Sequence, residues 1–186
     1  MRRFLWTRRR LIRAAAGAAA LPLAHSVLAV VPTPATAGER WIELASTHTS
    51  EVVKVVYRNA AVYVPDALAQ LDHVLRDHRS GGQIEMDRAL YDLLADLAAA
   101  AGRDPCFEII SGYRSPATNA KLAAGSRGVS TRSLHMQGRA IDVRLKAYPT
   151  ADLCDRALEL QRGGVGYYQR SDFVHVDTGR VRRWAG

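Results

Sequence analysis

Three side chains that bind metal ions stand at spacings that would let two strands present them together. His135 and Asp142 lie seven residues apart in Ser-Leu-His-Met-Gln-Gly-Arg-Ala-Ile-Asp-Val (133–143), and His175 follows in Phe-Val-His-Val-Asp (173–177). Two imidazoles and one carboxylate make a three-ligand site for one zinc ion, with the fourth position left for water, whose pKa zinc brings down to about 7. Hydrolysis then needs a carboxylate close to that water but not bound to the metal. Strand parity ranks the choices. If residues 140–145 are a regular strand, Ala140, Asp142 and Arg144 share one face, with Ile141, Val143 and Leu145 behind. In the last strand Phe173, His175 and Asp177 share a face, with Val174 and Val176 behind. Asp142, His175 and Asp177 can therefore point into one cleft, and Asp177 is the favoured base. Asp172 is the rival; its odd spacing from His175 sends it to the other face unless the chain bends there. Arg114, in Ser-Gly-Tyr-Arg-Ser-Pro (111–116), is a planar cation suited to gripping a substrate carboxylate or developing oxyanion charge.

The elements that must hold these residues can be read around them. Residues 41–57 alternate apolar and polar on both sides of Thr47-His48-Thr49-Ser50, which predicts a β-hairpin with an edge strand. His48 at its tip reads as a solvated turn residue, and Ala61 to Val64 extends the same sheet. Pro65-Asp66 opens a helix carrying Leu68, Leu71, Val74 and Leu75, and Gly81-Gly82 ends that segment. A second helix spans Met86 to Ala101, with Leu90, Leu93, Leu94 and Leu97 on one side. Phe107 to Ile110 is a strand running straight into the turn that carries Arg114. Asn119 to Ala124 is a short helical piece, and Gly125 to Thr131 is a loop bordering the cleft. Ala151 to Arg162 forms a further helix. Two closing strands, Val165 to Tyr168 and Phe173 to Asp177, flank a polar turn. The basic C-terminal segment packs through Val181 and Trp184.

Charge narrows the function. The chain has 26 basic and 18 acidic residues, but six arginines and no acid fall within residues 1–37, leaving 20 basic residues against those 18 acids. The positive excess belongs to a leader, so the folded part lacks the basic patch that nucleic-acid binding requires. In the leader, Thr7-Arg8-Arg9-Arg10-Leu11-Ile12-Arg13 resembles the twin-arginine export motif. The apolar stretch Ala14 to Ala24 is shorter than the ~20 residues of a stable membrane span. Ala35-Thr36-Ala37 is a cleavage site, with Val27-Leu28-Ala29 as an earlier alternative. The expected division is a signal peptide over 1–37 and a catalytic domain over 38–186, delivered to the periplasm without a membrane span after processing. Cys106 and Cys154 lack metal-ligand spacing. They are either a disulfide, which that compartment permits, or two buried thiols.

Taken in order, Ser-Gly-Tyr-Arg-Ser (111–115), Ser-x-His-x-x-Gly-x-Ala-x-Asp (133–142) and Phe-Val-His-Val-Asp (173–177) resemble the blocks of the LAS-type zinc metallopeptidases of bacterial cell walls. The likeness is greatest to the murein endopeptidase K group and covers roughly residues 39–185. The resemblance implies an α+β fold of the Hedgehog/DD-peptidase-like kind, a small, mostly antiparallel sheet carrying the zinc site with helices around it. It also implies His135, Asp142 and His175 as the ligands, Asp177 as acid/base, and Arg114 with Ser133 binding substrate. Many relatives place a Glu three residues before the last zinc His, where this chain has the shorter Asp172. The implied reaction is hydrolysis of amide bonds in peptidoglycan stem peptides, at cross-links involving diaminopimelate. The alternatives are a D-Ala-D-Ala carboxypeptidase or dipeptidase using the same site, and a metal-stabilised wall-binding domain without catalysis.

Overall fold

The computed structural model describes residues 38–125 and 129–186, so the leader read from residues 1–37 and its cleavage site lie outside the described residues. The chain divides into two units, 1–31 and 32–186, and every described residue falls in the second. Its strands are β1 (Glu39–Ser46), β2 (Val52–Asn59), β3 (Val62–Tyr63), β4 (Cys106–Ser111), β5 (Ala140–Leu145), β6 (Gly164–Tyr168), β7 (Phe173–Asp177) and β8 (Arg182–Ala185). Its helices are α1 (Pro65–Val74), α2 (Arg88–Ala100), α3 (Pro116–Gly125) and α4 (Thr150–Leu160). All the strands join one sheet in the order β3-β2-β1-β4-β5-β7-β6-β8. Pairing is antiparallel except between β1 and β4 and between β6 and β8. This is the α+β class with a mostly antiparallel sheet that the resemblance implies.

Alternation along the strands decides which face becomes core. Phe107, Ile109, Ile141, Val143, Leu145, Val174 and Val176 are buried on one side of the sheet. The leucine rows of α1 and α2 lie in the same cluster, as do Leu153 and Ala157 of α4. Burying side chains of this size contributes about 1.5–3 kcal/mol each, so this layer carries most of the stability. The opposite side of β5 and β7 is left for Asp142 and His175, which face each other across the antiparallel ladder.

Two elements depart from the local pattern. Helix α1 stops at Val74, well short of Gly81-Gly82, because the next backbone groups are taken by other partners. Tyr113 N–H donates to Leu75 O at 2.8 Å, Asp77 N–H to Gly82 O at 2.9 Å, and Gly81 N–H to Asp77 O at 2.7 Å. A hydrophobic pattern cannot reveal that competition. The C-terminal segment is not held by Val181, which is 60% exposed. It forms β8 instead, laid beside β6 with Trp184 opposite Gly166. A Cβ on Gly166 would come within 2.4 Å of the Trp184 ring, so the missing side chain is what lets the indole lie there. Cys106 and Cys154 are both free thiols, one half-buried and one buried. No helix among the described residues is long and apolar enough to cross a membrane.

Candidate metal centre

His135 enters from a 3-10 turn, Leu134–Gln137, that the flanking residues set up. Ser133 Oγ accepts from His135 N–H at 3.3 Å and caps the turn, while Gly138 closes it with φ 66°. The ring is then fixed at its far nitrogen: Nδ1 lies 2.7 Å from Gly112 O. A carbonyl can only accept, so Nδ1 carries the proton and Nε2 is left with its lone pair. His175 is fixed in the same manner from the other side. Its Nε2 lies 3.0 Å from Asp177 Oδ2, and an ionised carboxylate there calls for Nε2–H, turning Nδ1 toward Asp142.

His135 Nε2, His175 Nδ1 and Asp142 Oδ1 then form a triangle with edges of 3.2, 2.8 and 3.2 Å. Ligands ~2.0–2.2 Å from a tetrahedral ion sit roughly 3.3 Å from one another, so the triangle has the dimensions such an ion demands. All three residues are buried. Three lone pairs this close repel unless a cation lies among them, which makes the donor set fit a divalent ion. Burial pushes the His135 pKa down, and the nearby Arg114 adds to this against the pull of Asp142, so the imidazole stays neutral as a ligand must. Burial also acts to lower His175, but the carboxylates of Asp142 and Asp177 outweigh it and raise its pKa. A proton on Nδ1 is thus the competitor that a metal ion would displace. Asp142 is held well below the usual carboxylate range; burial opposes this, and the two imidazoles overcome it.

The other expected site residues are arranged around this centre in ways spacing alone does not reveal. Arg114 donates from Nη2 to Asp142 Oδ2 at 2.6 Å and from Nε to Ser111 Oγ at 2.9 Å. Its guanidinium therefore orients the carboxylate oxygen that the triangle does not use, while still lining the cleft. Asp177 is fully buried and saturated. Besides His175 it accepts from Gly164 N–H, Gly179 N–H and both Nη atoms of Arg182, at 2.7 to 3.0 Å. These donors hold it well below the ordinary carboxylate range against the opposing effect of burial. It lies behind the His175 ring, on the nitrogen remote from the triangle. The parity argument that set Asp172 on the wrong face does not carry over to the structure. Asp172 sits outside the strand in a left-handed conformation, φ 52° and ψ 55°, after the 3-10 turn Gln169–Ser171. The bend leaves its carboxylate exposed, 3.4 Å from Arg144 Nε and accepting from Thr150 Oγ1 at 2.6 Å.

Asp77 is a residue the sequence reading passed over. Its carboxylate accepts from Ser115 N–H at 3.0 Å, Ser80 Oγ at 2.8 Å and Arg79 N–H at 3.0 Å, pinning the loop that carries Arg114. Its Asp-x-x-Ser spacing, an aspartate ahead of a polar turn, was the available signal. Hydrogen bonds from Thr118, Ser115 and Ser80 hold the Asp77 pKa well below its usual value, although burial acts to raise it. A depressed carboxylate contributes stability above its unfolded pKa, about 3.9, and loses it as pH falls through the folded value. Asp77→Asn is accordingly expected to cost about 2 kcal/mol at pH 7. It should also shrink the loss of stability that the native protein suffers between pH 5 and pH 2, read by denaturant unfolding at each pH. An unchanged acid slope would show that this carboxylate does not carry it.

The centre forms the floor of a cleft of about 500 Å³. One wall is aromatic. Tyr168 and Phe173 stack at 4.5 Å, Trp184 Nε1–H donates to Tyr168 Oη at 3.1 Å, and the Trp184 ring lies 5.0 Å from His175. Residues 129–134 supply most of the remaining lining.

Comparison with known proteins bears on what such a centre belongs to. A peptidoglycan L,D-endopeptidase MepK of Escherichia coli (strain K12) is 39% identical over 161 residues, covering 84% of this chain and 88% of the relative. A protein of Haemophilus influenzae named "Probable peptidoglycan L,D-endopeptidase MepK" is 39% identical over 165 residues, 88% of this chain and 87% of its own length. No solved structure matches the chain. The family described as peptidoglycan L,D-endopeptidase MepK matches residues 34–184, a span that runs from before β1 to Trp184 within β8 and takes in every residue of the triangle. The chain belongs to that family of peptidases.

Proposed function

We propose that this protein is a zinc-dependent murein endopeptidase that hydrolyses amide bonds in the peptide cross-links of peptidoglycan. The observation that carries the reading is the triangle of His135 Nε2, His175 Nδ1 and Asp142 Oδ1 at the floor of an open cleft. Two nitrogens and one oxygen, borderline and hard donors in a triangle of the size that such an ion needs, would suit zinc, and the relatives are named for cleavage of peptidoglycan. When bound, the ion supplies Lewis-acid polarisation of the scissile carbonyl and a lowered pKa for water. The protein's own residues do the rest. Gly112 O and Asp177 hold the two imidazoles in their ligand tautomers, and Arg114 holds the second oxygen of Asp142. Ser133 shapes the turn that presents His135 and borders the substrate.

For the base we favour Asp172 over Asp177. A carboxylate already accepting from His175, two backbone amides and Arg182 has no lone pair turned to the cleft and is a poor proton acceptor. Asp172 is exposed and next to Phe173 of the cleft wall, and its carboxylate is held by two surface partners, the Thr150 hydroxyl and the Arg144 guanidinium, both of which it must leave. Contacts of catalytic bases are commonly long in unliganded sites and tighten with substrate bound. Residues 38–186 form the catalytic domain in this reading, and residues 1–37 direct export to the periplasm by the twin-arginine route.

The test is incubation of the purified mature chain with cross-linked muropeptide dimers, with and without chelator, and mass identification of the products. Conversion of dimers to monomers, abolished by chelator and restored by zinc, is the expected result. Loss of a terminal D-Ala alone would identify a carboxypeptidase, and cleavage untouched by chelator would reject the metal mechanism. The same chain expressed with its leader should be recovered from the periplasm, and not when Arg8 and Arg9 are both Lys.

A further inference from the structure

Among the described residues three arginines line the cleft, Arg114, Arg132 and Arg182. Two of them are neutralised within the protein. Arg114 is paired with Asp142 at 2.6 Å, and Arg182 is paired with Asp177 at 2.7 Å while its guanidinium lies over the Trp184 ring. A guanidinium already bound to a buried carboxylate offers little net charge to a ligand. Arg132 differs. It is exposed, its backbone N–H donates to Ser130 Oγ at 3.1 Å, and its guanidinium has no partner among the described residues. It stands three residues before His135 and one before Ser133, so it is tied at short range to the capped turn that presents the first metal ligand. Among the described residues the cleft therefore holds one uncompensated cation, Arg132, with an aromatic wall of Tyr168, Phe173 and Trp184 besides.

We propose that Arg132 is the specificity residue that reads a free carboxylate on the substrate peptide, flanking the scissile amide, while the aromatic wall takes the aliphatic stem that carries it. The inference rests on the peptidase reading and deepens it. It moves substrate recognition away from Arg114, whose charge is paired with Asp142 and whose Nε donates to Ser111. The planar fork of arginine matches a carboxylate through two parallel N–H donors, an arrangement that an ammonium cannot reproduce. A site that depends on such a pair rejects an analogue in which the carboxylate is replaced by a neutral amide.

The experiment compares kcat/KM for two muropeptide dimers, one with free diaminopimelate carboxylates and one with those carboxylates amidated. Enzymes to be compared are the wild type, Arg132→Ala, Arg132→Lys and Arg132→Glu, with zinc content measured for each. Wild type is expected to prefer the free acid about tenfold, the scale of one charge-assisted hydrogen-bonded pair. In Arg132→Ala that ratio is expected to fall to about one, through loss of rate on the acid substrate. Arg132→Lys should keep part of the preference, and Arg132→Glu should favour the amidated dimer. Zinc content should match wild type throughout, since Arg132 touches no ligand.

A wild type that cuts both dimers equally would overturn the role of Arg132 and leave the peptidase reading intact. So would an Arg132→Ala variant that keeps the tenfold ratio. A zinc-loaded wild type that cuts neither dimer would instead overturn the peptidase reading, and the role of Arg132 with it.

Discussion

Asp172→Asn is expected to lower kcat by about two to four orders of magnitude while bound zinc stays at the wild-type level, the signature of a lost general base. Asp177→Asn is expected to behave differently, weakening zinc binding by about 10- to 100-fold, as removal of a group that orients a ligand does. The contrast follows from what each carboxylate touches. Asp177 fixes the His175 tautomer through Nε2 and is itself held by Gly164, Gly179 and Arg182. An amide in its place can present its NH2 to Nε2, favouring the tautomer in which Nδ1 carries the proton and cannot bind a metal. It would also leave Arg182 without its charged partner. Asp172 makes no contact with a ligand; its partners are Thr150 and Arg144. Replacing it leaves the triangle untouched and removes an exposed proton acceptor next to Phe173 of the cleft wall. Zinc content by atomic absorption, a zinc competition titration and kcat at saturating zinc separate the two effects. Full zinc affinity with lost turnover in Asp177→Asn, beside an active Asp172→Asn, would return the base to Asp177.

A single methyl group at Gly112 should do comparable damage from outside the triangle. A Cβ there would lie 2.4 Å from Leu75 O and 3.0 Å from the Leu75 carbonyl carbon and Cα. These are backbone atoms at the end of α1, and they cannot swing aside as a flexible side chain can. The chain would have to move at Gly112, whose carbonyl accepts from His135 Nδ1, and at Tyr113, whose N–H donates to Leu75 O. Gly112→Ala is therefore expected to cost about 1–3 kcal/mol in stability, as overpacking does. It should also weaken zinc binding at least tenfold through the displaced carbonyl. Denaturant unfolding and a zinc competition titration measure the two parts. A variant with wild-type zinc affinity would show that the Gly112 carbonyl does not orient His135.

These predictions draw unequally on what could be read from the sequence. The grouping of candidate ligands was legible because it depends on local rules. Alternation along Ala140–Leu145 and Phe173–Asp177 sets Asp142 and His175 on the face away from the valines, and residue type limits what such a face can bind. The helix of residues 88–100 was legible for the same reason, from its leucine spacing. The end of α1 was not, since it is decided by Tyr113 taking the Leu75 carbonyl, a contact made across 38 residues of chain. The eighth strand was hidden because Arg182–Ala185 owes its place to two partners, the bare backbone of Gly166 and the buried Asp177.

The roles of the carboxylates and arginines divide along the same line. Sequence by itself determined which residues could bind a metal ion, because ligand chemistry belongs to the side chain and strand parity belongs to the local backbone. Only the tertiary structure decided what each neighbouring charge is free to do. Asp177 shares a face with His175, yet five contacts fix it behind the imidazole; Asp172 escapes parity through one left-handed residue; Arg114 is taken up by Asp142, and Arg132 is left unpaired among the described residues. Pairing of charges is settled by distance in three dimensions, and spacing along the chain does not encode that distance once the chain turns.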